Sequence, residues 1–232
     1  VAYSYLAMQT GYLKCYYPCE YYAALLTSVM GDFSKMALYI KEAERIGVEL
    51  LPPDVNRSFA KFSVEDGKMR FGLLGIKHVG TGIVEATVKG REEGEYTSLE
   101  EYLRRVSVVD RTALNRKAVE SLIYAGALDS FGVPRAQMMA DLEMSLAGIQ
   151  NARRQNLSGQ QSLFGTFPDL ETPSSWTSRR LPEYPQPQKL AYEKEVLGIY
   201  LSGHPFAPYE ADFAPFRNFT TEELLETENM AA

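Results

Sequence analysis

The chain has 232 residues, of which 45% are hydrophobic and 23% are charged, and its formal net charge is −6. This composition is that of an ordinary soluble globular protein of one or two domains, and the acidic balance argues against a dedicated DNA-binding protein. No run of about 18 apolar residues occurs, so no membrane span is predicted. Two cysteines are too few for a disulfide framework or a zinc site, which favours a reducing cytoplasm.

The charge is distributed unevenly along the chain. Residues 1–67 carry a net charge of −2, residues 68–155 carry +2, and residues 156–232 carry −6. A positive segment inside an acidic chain favours a local surface that binds a nucleic-acid backbone.

Three helices are predicted over residues 1–46. The first breaks at Pro18, the second ends at Gly31, and the third runs from Phe33 to Ile46 with Asp32 or Ser34 as its cap. The many apolar and tyrosine side chains of this region predict packing in the core or at a domain interface, with base stacking as the alternative. Such residues in the first helix are Tyr5, Leu6, Met8, Leu13 and Tyr16.

A short β-structure is predicted next. Pro52 and Pro53 forbid a helix and favour an extended segment over residues 48–56. Asp66-Gly67 is a strong turn signal between two apolar stretches, and it predicts one small β-hairpin from about Phe59 to Phe71.

The stretch Lys77-His78-Val79-Gly80-Thr81-Gly82 lies between two helix-like patterns. Two glycines one residue apart suit a turn that needs positive φ or very close backbone approach. The helix that begins there has unpaired amide groups at its positive end, and a phosphate is their natural ligand. The pattern resembles a helix-hairpin-helix, and the alternative is an ordinary tight turn.

Further helices are predicted at Leu99–Val106, capped by Ser98, at Asn115–Tyr124, and from Pro134 to about Ala152. Ala125-Gly126-Ala127-Leu128 echoes the glycine turn about 46 residues later, which suggests an internal duplication. Because this second turn lacks one glycine, we expect it to pack rather than to grip phosphate.

Pro, Ser, Thr and Gln dominate from Arg153 to Gln188, which indicates an extended linker. An apolar pair, Leu163 and Phe164, lies inside this polar tract. It either tucks onto the nearest domain or forms a short motif for a partner's pocket. A last long helix is predicted at Leu190–Tyr200, and a short acidic helix near Thr221–Glu226.

No catalytic or metal-binding constellation is recognisable. There are no paired aspartates on a strand pattern, no Walker loop and no nucleophile elbow, and His78 and His204 are isolated. Basic residues near the glycine turn are either phosphate ligands or an ordinary solvated surface. Those predicted to contact DNA are Lys77, Lys89, Arg116 and Lys117.

Four segments resemble the catalytic alpha subunit of bacterial DNA polymerase III: ELLPPDVN, FGLLGIKHVGTGIVEATV, LNRKAVESLIYAGALDSFG and EKEVLGIYLSGHP. The resemblance covers nearly the whole chain in the right order. It implies a mainly α fold in which residues 1–67 are the end of the fingers domain and residues 68–152 are a tandem helix-hairpin-helix domain. Residues 153–187 would be a Pro-rich linker, and residues 188–232 a helical segment leading toward an OB domain.

The resemblance also implies partners and sites. The backbone of double-stranded DNA would be bound by the glycine turn and by nearby basic residues. These are Lys77, His78, Val79, Gly80, Thr81 and Gly82 of the turn, together with Lys89, Arg116 and Lys117. Gln160-Gln161-Ser162-Leu163-Phe164 matches the family's Gln-x-x-Leu/Met-Phe pentapeptide, so Gln160, Ser162, Leu163 and Phe164 would bind the sliding clamp (beta subunit).

The family's palm aspartates, which bind Mg²⁺ in the full nucleotidyltransferase, lie upstream of Val1. No cofactor and no polymerase activity are therefore expected of this chain alone. The alternative function is purely structural, with hairpins that only pack against the remaining domains of the polymerase.

Overall fold

The computed structural model describes residues 2–110, 112–157, 180–213 and 215. The expectation of a mainly helical chain with one small sheet is confirmed. In these described ranges the helices are α1 (Ala2–Tyr16), α2 (Pro18–Ser28), α3 (Phe33–Arg45), α4 (Thr81–Gly90), α5 (Leu99–Val109), α6 (Arg116–Tyr124), α7 (Arg135–Leu157), α8 (Gln186–Leu197) and α9 (Glu210–Phe213).

The first three helices begin and end where the sequence predicts. Pro18 stands in the first turn of α2, where its missing N–H costs no hydrogen bond. The Asp32 carboxylate accepts a 3.1 Å hydrogen bond from the Lys35 N–H and so caps α3. Tyr22 on α2 and Met36 on α3 are fully buried, and they connect these helices to the core of the rest of the chain.

The apolar side chains of α1 are not part of that core. Tyr5, Leu6 and Tyr16 are 58%, 55% and 65% exposed. The prediction that the α1 side chains pack in the core of this chain is thus wrong. The two interpretations that stay open for it are a domain interface and stacking on bases.

A three-stranded sheet follows, built from β1 (Leu50–Leu51), β2 (Ser63–Glu65) and β3 (Lys68–Arg70). β2 and β3 form the predicted antiparallel hairpin. Its two turn residues, Asp66 and Gly67, have φ of +50° and +75°, the conformation of a type I′ turn. The sequence did not predict β1, which comes just before the two prolines and pairs parallel with β3 to give the order β1-β3-β2.

The middle of the chain is a cluster of helices around one apolar core. A 3-10 turn at Leu73–Gly75 and a tight loop lead into α4, which packs most extensively on α5. Ser98 caps α5 through the Glu101 N–H, and Asn115 caps α6 through the Lys117 N–H. Both caps use the side-chain oxygen that such residues offer to an unpaired first-turn amide.

The helix after the linker belongs to the same core. α8 begins at Gln186, four residues before its predicted start, and packs against α6. Leu190, Val196 and Leu197 on α8 are buried. The acidic segment Thr221–Glu226 and the pentapeptide Gln160–Phe164 lie outside the described residues. No helix in the described part of the chain is both long and apolar enough to traverse a bilayer.

Candidate nucleic-acid interface

The first hairpin, residues Lys77–Gly82, is anchored by one side chain and exposed at its tip. Val79 is buried, and its N–H donates a 3.2 Å hydrogen bond to the Ile76 carbonyl. Lys77, His78 and Gly80 are exposed on either side of it. The hairpin is therefore held to the core by Val79, while its other residues are accessible to a ligand from solvent.

The two glycines are not the residues that need a left-handed conformation. Gly80 has a φ of −96°, and Gly82 lies within the first turn of α4, whereas His78 has a φ of +66°. A Cβ atom on Gly80 would meet nothing within 4 Å. Of the two alternatives expected there, positive φ is wrong for both glycines, and close approach to the backbone stays a prediction. What glycine provides at position 80 is open space in front of a helix N-terminus, where a ligand can approach the backbone.

The N-terminus of α4 offers unpaired donors to that space. Gly80 is the N-cap residue and has no side chain, so no cap satisfies the first amides of α4. The Val84 N–H is the first to turn back into the helix, with a long 3.4 Å bond to the Gly80 carbonyl. Unpaired amides at the positive end of the helix dipole favour an anion such as phosphate.

A second hairpin lies against the first. It is the loop over residues 110–115, of which 111 is not described, between α5 and α6. A Cβ atom on Gly82 would lie 3.6 Å from Asp110 Oδ2 and 4.0 Å from the Ala113 Cβ. Asn115 occupies the N-cap of α6, and it lies 35 residues after Gly80, which occupies the N-cap of α4.

The second predicted turn lies between two helices, as the sequence indicates. Ala125-Gly126-Ala127-Leu128 follows α6, and α7 begins at Arg135 after a 3-10 turn at Asp129–Phe131. The Ala127 N–H bonds to the Leu122 carbonyl at 2.9 Å, and Gly126 has a φ of +79°. Leu128 is buried. This stretch is a helix stop of the usual glycine type, and it leads on to α7. As expected, it packs.

Asp110 organises the second hairpin. Its Oδ1 accepts 2.8 Å hydrogen bonds from both the N–H and the hydroxyl of Thr112. These bonds lower the pKa of the Asp110 carboxyl, because they stabilise the ionised form. At neutral pH the ionised Asp110 carboxylate therefore holds the loop in shape through hydrogen bonds to its Oδ1 atom.

The predicted basic residues divide into two groups. Lys77 sits on the first hairpin, and Arg116 and Lys117 form the first turn of α6 beside the second hairpin. Lys89 lies eight residues along α4 from Thr81, or about 12 Å by helical rise, at the end away from the hairpins. The structure thus gathers three of the predicted cations and leaves Lys89 apart.

The gathered cations differ in how they are neutralised. Arg116 contacts Glu120 at 2.8 Å and Glu143 at 2.6 Å, and the hydrogen bond to Glu120, followed by that to Glu143, raises the pKa of its guanidinium. Lys117 is 3.7 Å from Glu120. Lys77 forms no ion pair with any described residue, so its charge is the most available to an incoming phosphate.

Sequence reasoning missed the residues that support the hairpins. The Lys77 N–H donates a 2.9 Å bond to the Val196 carbonyl at the end of α8. Asp110 and Thr112 were also missed, although an Asn before a helical pattern, as at Asn115, was an available signal for the second hairpin. Gln160, Ser162, Leu163 and Phe164 lie outside the described residues. No group of three or more His, Cys, Asp or Glu within the described residues could hold a metal ion.

Comparison with known proteins places these hairpins in context. Residues 47–138 match the model of the helix-hairpin-helix motif. The chain is 41% identical to DNA polymerase III subunit alpha of Thermus aquaticus over 226 residues, which are 97% of this chain and 18% of that protein. It is 38% identical to the Saccharopolyspora erythraea protein of the same name over 235 residues, which are 99% of this chain and 19% of that protein.

DNA polymerase III subunit alpha of Bacillus subtilis is 36% identical over 209 residues, or 90% of this chain and 18% of that protein. The chain therefore spans about a fifth of the length of the relatives that it matches. The similarity extends through both hairpins and through α8.

Proposed function

We propose that this chain, which belongs to the DNA polymerase III alpha subunit family, grips the backbone of double-stranded DNA through its two adjacent hairpins. The observation that carries this proposal is the open space before Gly80, where uncapped amides of α4 face outward beside Lys77. Phosphate oxygens are acceptors that fit such donors, and they are the same in every base sequence. We therefore propose binding without base preference, in the cytoplasm where these polymerases would replicate DNA.

The test is a binding titration of the chain with duplexes of unrelated sequence over a range of salt concentrations. A grip that neutralises about two to four phosphates gives a log–log slope of about −2 to −4. We expect similar affinities for all duplexes and this slope for each. Absence of salt-dependent binding would contradict the proposal.

A structural function is the alternative, in which the hairpins only pack against the remaining domains of the polymerase. The exposed apolar surface of α1 supports contact with other domains, since such side chains are usually covered in a finished assembly. It does not involve the hairpins, however. A chain that fails to bind duplex DNA but binds the rest of the polymerase would favour this alternative.

We also propose that Gln160, Leu163 and Phe164 tether the polymerase to the sliding clamp. The support is the sequence alone: two large apolar side chains in a tract too polar to form its own core, preceded at the right spacing by a glutamine amide. Burying each apolar side chain is worth about 1.5–3 kcal/mol, which after the cost of ordering the linker gives micromolar binding. DNA binding by the hairpins would strengthen it through avidity.

Replacing Leu163 and Phe164 by Ala should abolish binding to the clamp and leave duplex affinity unchanged. Gln161→Ala is the matched control, because Gln161 occupies a variable position of the pentapeptide while Gln160 does not. Clamp binding that survives the double Ala variant would return this stretch to an ordinary linker.

The chemistry of nucleotide transfer belongs, in this proposal, to the part of the relatives that the chain does not span. Two-metal phosphoryl transfer needs carboxylates that hold Mg²⁺ ions close together. We expect no template-dependent extension by the chain with Mg²⁺ and a primed template. Measurable extension would show that catalytic groups lie within these 232 residues.

A further inference from the structure

The helix α8 touches the first hairpin at its base. The Val196 carbonyl, in the last turn of α8, accepts a 2.9 Å hydrogen bond from the Lys77 N–H. We propose, resting on the duplex-binding function above, that α8 holds the hairpin in its binding conformation and that Glu193 is the positioning residue that fixes α8.

Glu193 is bound at both carboxylate oxygens although it is buried. Oε1 is 3.0 Å from the Arg135 Nη1, and the two side chains are only 1% and 5% exposed. Oε2 accepts hydrogen bonds of 3.0 and 2.9 Å from the N–H groups of Leu201 and Ser202. A buried carboxylate with every oxygen satisfied can sit in one place only, which fixes the helix that carries it.

Arg135 ties this pair to the helical core on the other side. Its guanidinium forms a two-pronged contact with the Asp129 carboxylate, at 2.9 and 2.7 Å. It also donates a 3.0 Å hydrogen bond to the Tyr124 carbonyl at the end of α6. Glu193 is therefore connected, through one arginine, to the helix that begins at the second hairpin.

The end of α8 is held by shape as well as by charge. Gly198, its C-cap, has a φ of +76°, and a Cβ atom there would lie 3.0 Å from the Phe33 Cβ. Val196 lies three residues after Glu193, within one helical turn. Fixing Glu193 and Gly198 therefore fixes the carbonyl between them, and with it the amide of Lys77.

The hairpin benefits from this support because its tip is strained. His78, next to Lys77, holds a φ of +66°, a conformation that L-residues adopt uncommonly and at a cost in backbone strain. The hydrogen bond from Lys77 to Val196 holds the chain immediately before that residue. Loosening α8 would release the tip and misplace Lys77 and the amides beyond Gly80, while the helical core stays folded.

Glu193→Gln in the full chain tests this positioning. It removes the charge that pairs with Arg135 and keeps the size of the side chain. Glu195→Gln is the matched control, because Glu195 lies on the same helix and is exposed. Ile40→Ala, in the core of α3, is a second control for lost stability alone.

Two readouts separate positioning from stability: hydrogen exchange at the Lys77 amide, and the salt slope of duplex binding. We expect Glu193→Gln to speed exchange at Lys77 by about tenfold beyond any change in global unfolding. Duplex affinity should fall about fivefold to tenfold, with a slope smaller by about 0.9, as for the loss of one phosphate contact. Neither control should change the salt slope or speed exchange at Lys77 beyond its own effect on global unfolding. Glu193→Ala extends the test if Gln retains the contacts.

Ordinary exchange at Lys77 and an unchanged slope in both Glu193 variants would overturn the inference and leave Glu193 as a stabilising residue only. If the unaltered chain does not bind duplex DNA, the proposed function fails. The exchange of the Lys77 amide then still decides whether α8 positions the hairpin.

Discussion

Gly82 and Asp110 face each other where the two hairpins meet, with 3.6 Å between Asp110 Oδ2 and the point that a Cβ atom of Gly82 would occupy. This is an ordinary contact distance, so the hairpins touch without crowding. Gly80, two residues earlier, has open space at the corresponding point. The two glycines of one motif therefore have different surroundings, and substitutions can separate folding from binding.

Gly80→Ser should weaken duplex binding without destabilising the chain. Serine is a better N-cap than glycine by a few tenths of a kcal/mol, so the Ser variant should be at least as stable as the parent. Its Cβ and hydroxyl nevertheless fill the space in front of the α4 amides, and we expect about tenfold weaker binding. Urea unfolding and a duplex titration measure the two effects.

Gly11→Ala is the control for this substitution, since Gly11 on α1 also has nothing within 4 Å of its Cβ position. It should leave duplex affinity unchanged, although alanine inside α1 adds about 1 kcal/mol of stability. Unaltered affinity of a folded Gly80→Ser variant would show that no ligand approaches the α4 N-terminus.

Lys77→Ala should reduce the salt slope of duplex binding by about 0.9, because one phosphate contact is lost. Lys89→Ala removes the same charge from the same neighbourhood of the sequence. Lys89 lies about 12 Å along α4 from the hairpin, however, so the slope should stay at its original value. Equal effects of the two variants would indicate that only the net charge of the chain matters.

His78→Gly should stabilise the chain by about 1 kcal/mol. A non-glycine residue at a φ of +66° costs about 1–3 kcal/mol of strain, which the substitution removes. The greater freedom of glycine in the unfolded chain offsets part of this gain in stability. The free energy of unfolding in urea is the measurement. His204→Gly is a comparison at the other histidine, where no positive φ is relieved. A destabilised His78→Gly variant would mean that the imidazole makes a contact worth more than the strain.

Alkaline pH should destabilise the chain through Tyr96. Its hydroxyl donates a 2.8 Å bond to the Thr87 carbonyl, and burial raises the pKa of Tyr96 to about 12. Burial also raises the pKa of Tyr102, which packs edge-on against Tyr96. Below pH 10 these tyrosines are protonated in both the folded and the unfolded chain, so their full contribution to stability is present. Above pH 10 the unfolded chain ionises first, and stability falls by about 1.4 kcal/mol per pH unit for each such tyrosine.

Urea unfolding between pH 8 and 11.5 measures this decline. Tyr96→Phe should make it shallower by about 1.4 kcal/mol per pH unit, whereas Tyr3→Phe, at a residue 89% exposed, should not change it. A decline of the same steepness in the Tyr96 variant would assign the alkaline loss to other groups.

The features that the sequence predicts correctly are local. Asp66-Gly67 needs only its own left-handed conformations to form a turn, and Asp32 and Ser98 cap helices through amides three residues away. The pattern of apolar residues around Gly80 likewise predicts a helix start, because every contact it needs lies within one turn.

The features that the sequence does not predict depend on distant residues. The pairing of β1 with β3 and the contact of Arg135 with Glu193 join residues that are 19 and 58 positions apart. The loop over residues 110–115 was missed for another reason. It carries no glycine pair, and its helix start is marked by Asn115 alone, although asparagine and glycine both serve at the N-cap.

The uncovered face of α1 has a practical consequence for anyone who purifies the chain. This helix carries no acidic residue in its first turn and a single lysine near its end, beside Tyr3, Met8 and Tyr12, each more than half exposed. Such a surface binds to itself and to hydrophobic resins. Gel filtration should show concentration-dependent self-association of the chain. A version that starts at Pro18 should elute as one species and still carry both hairpins.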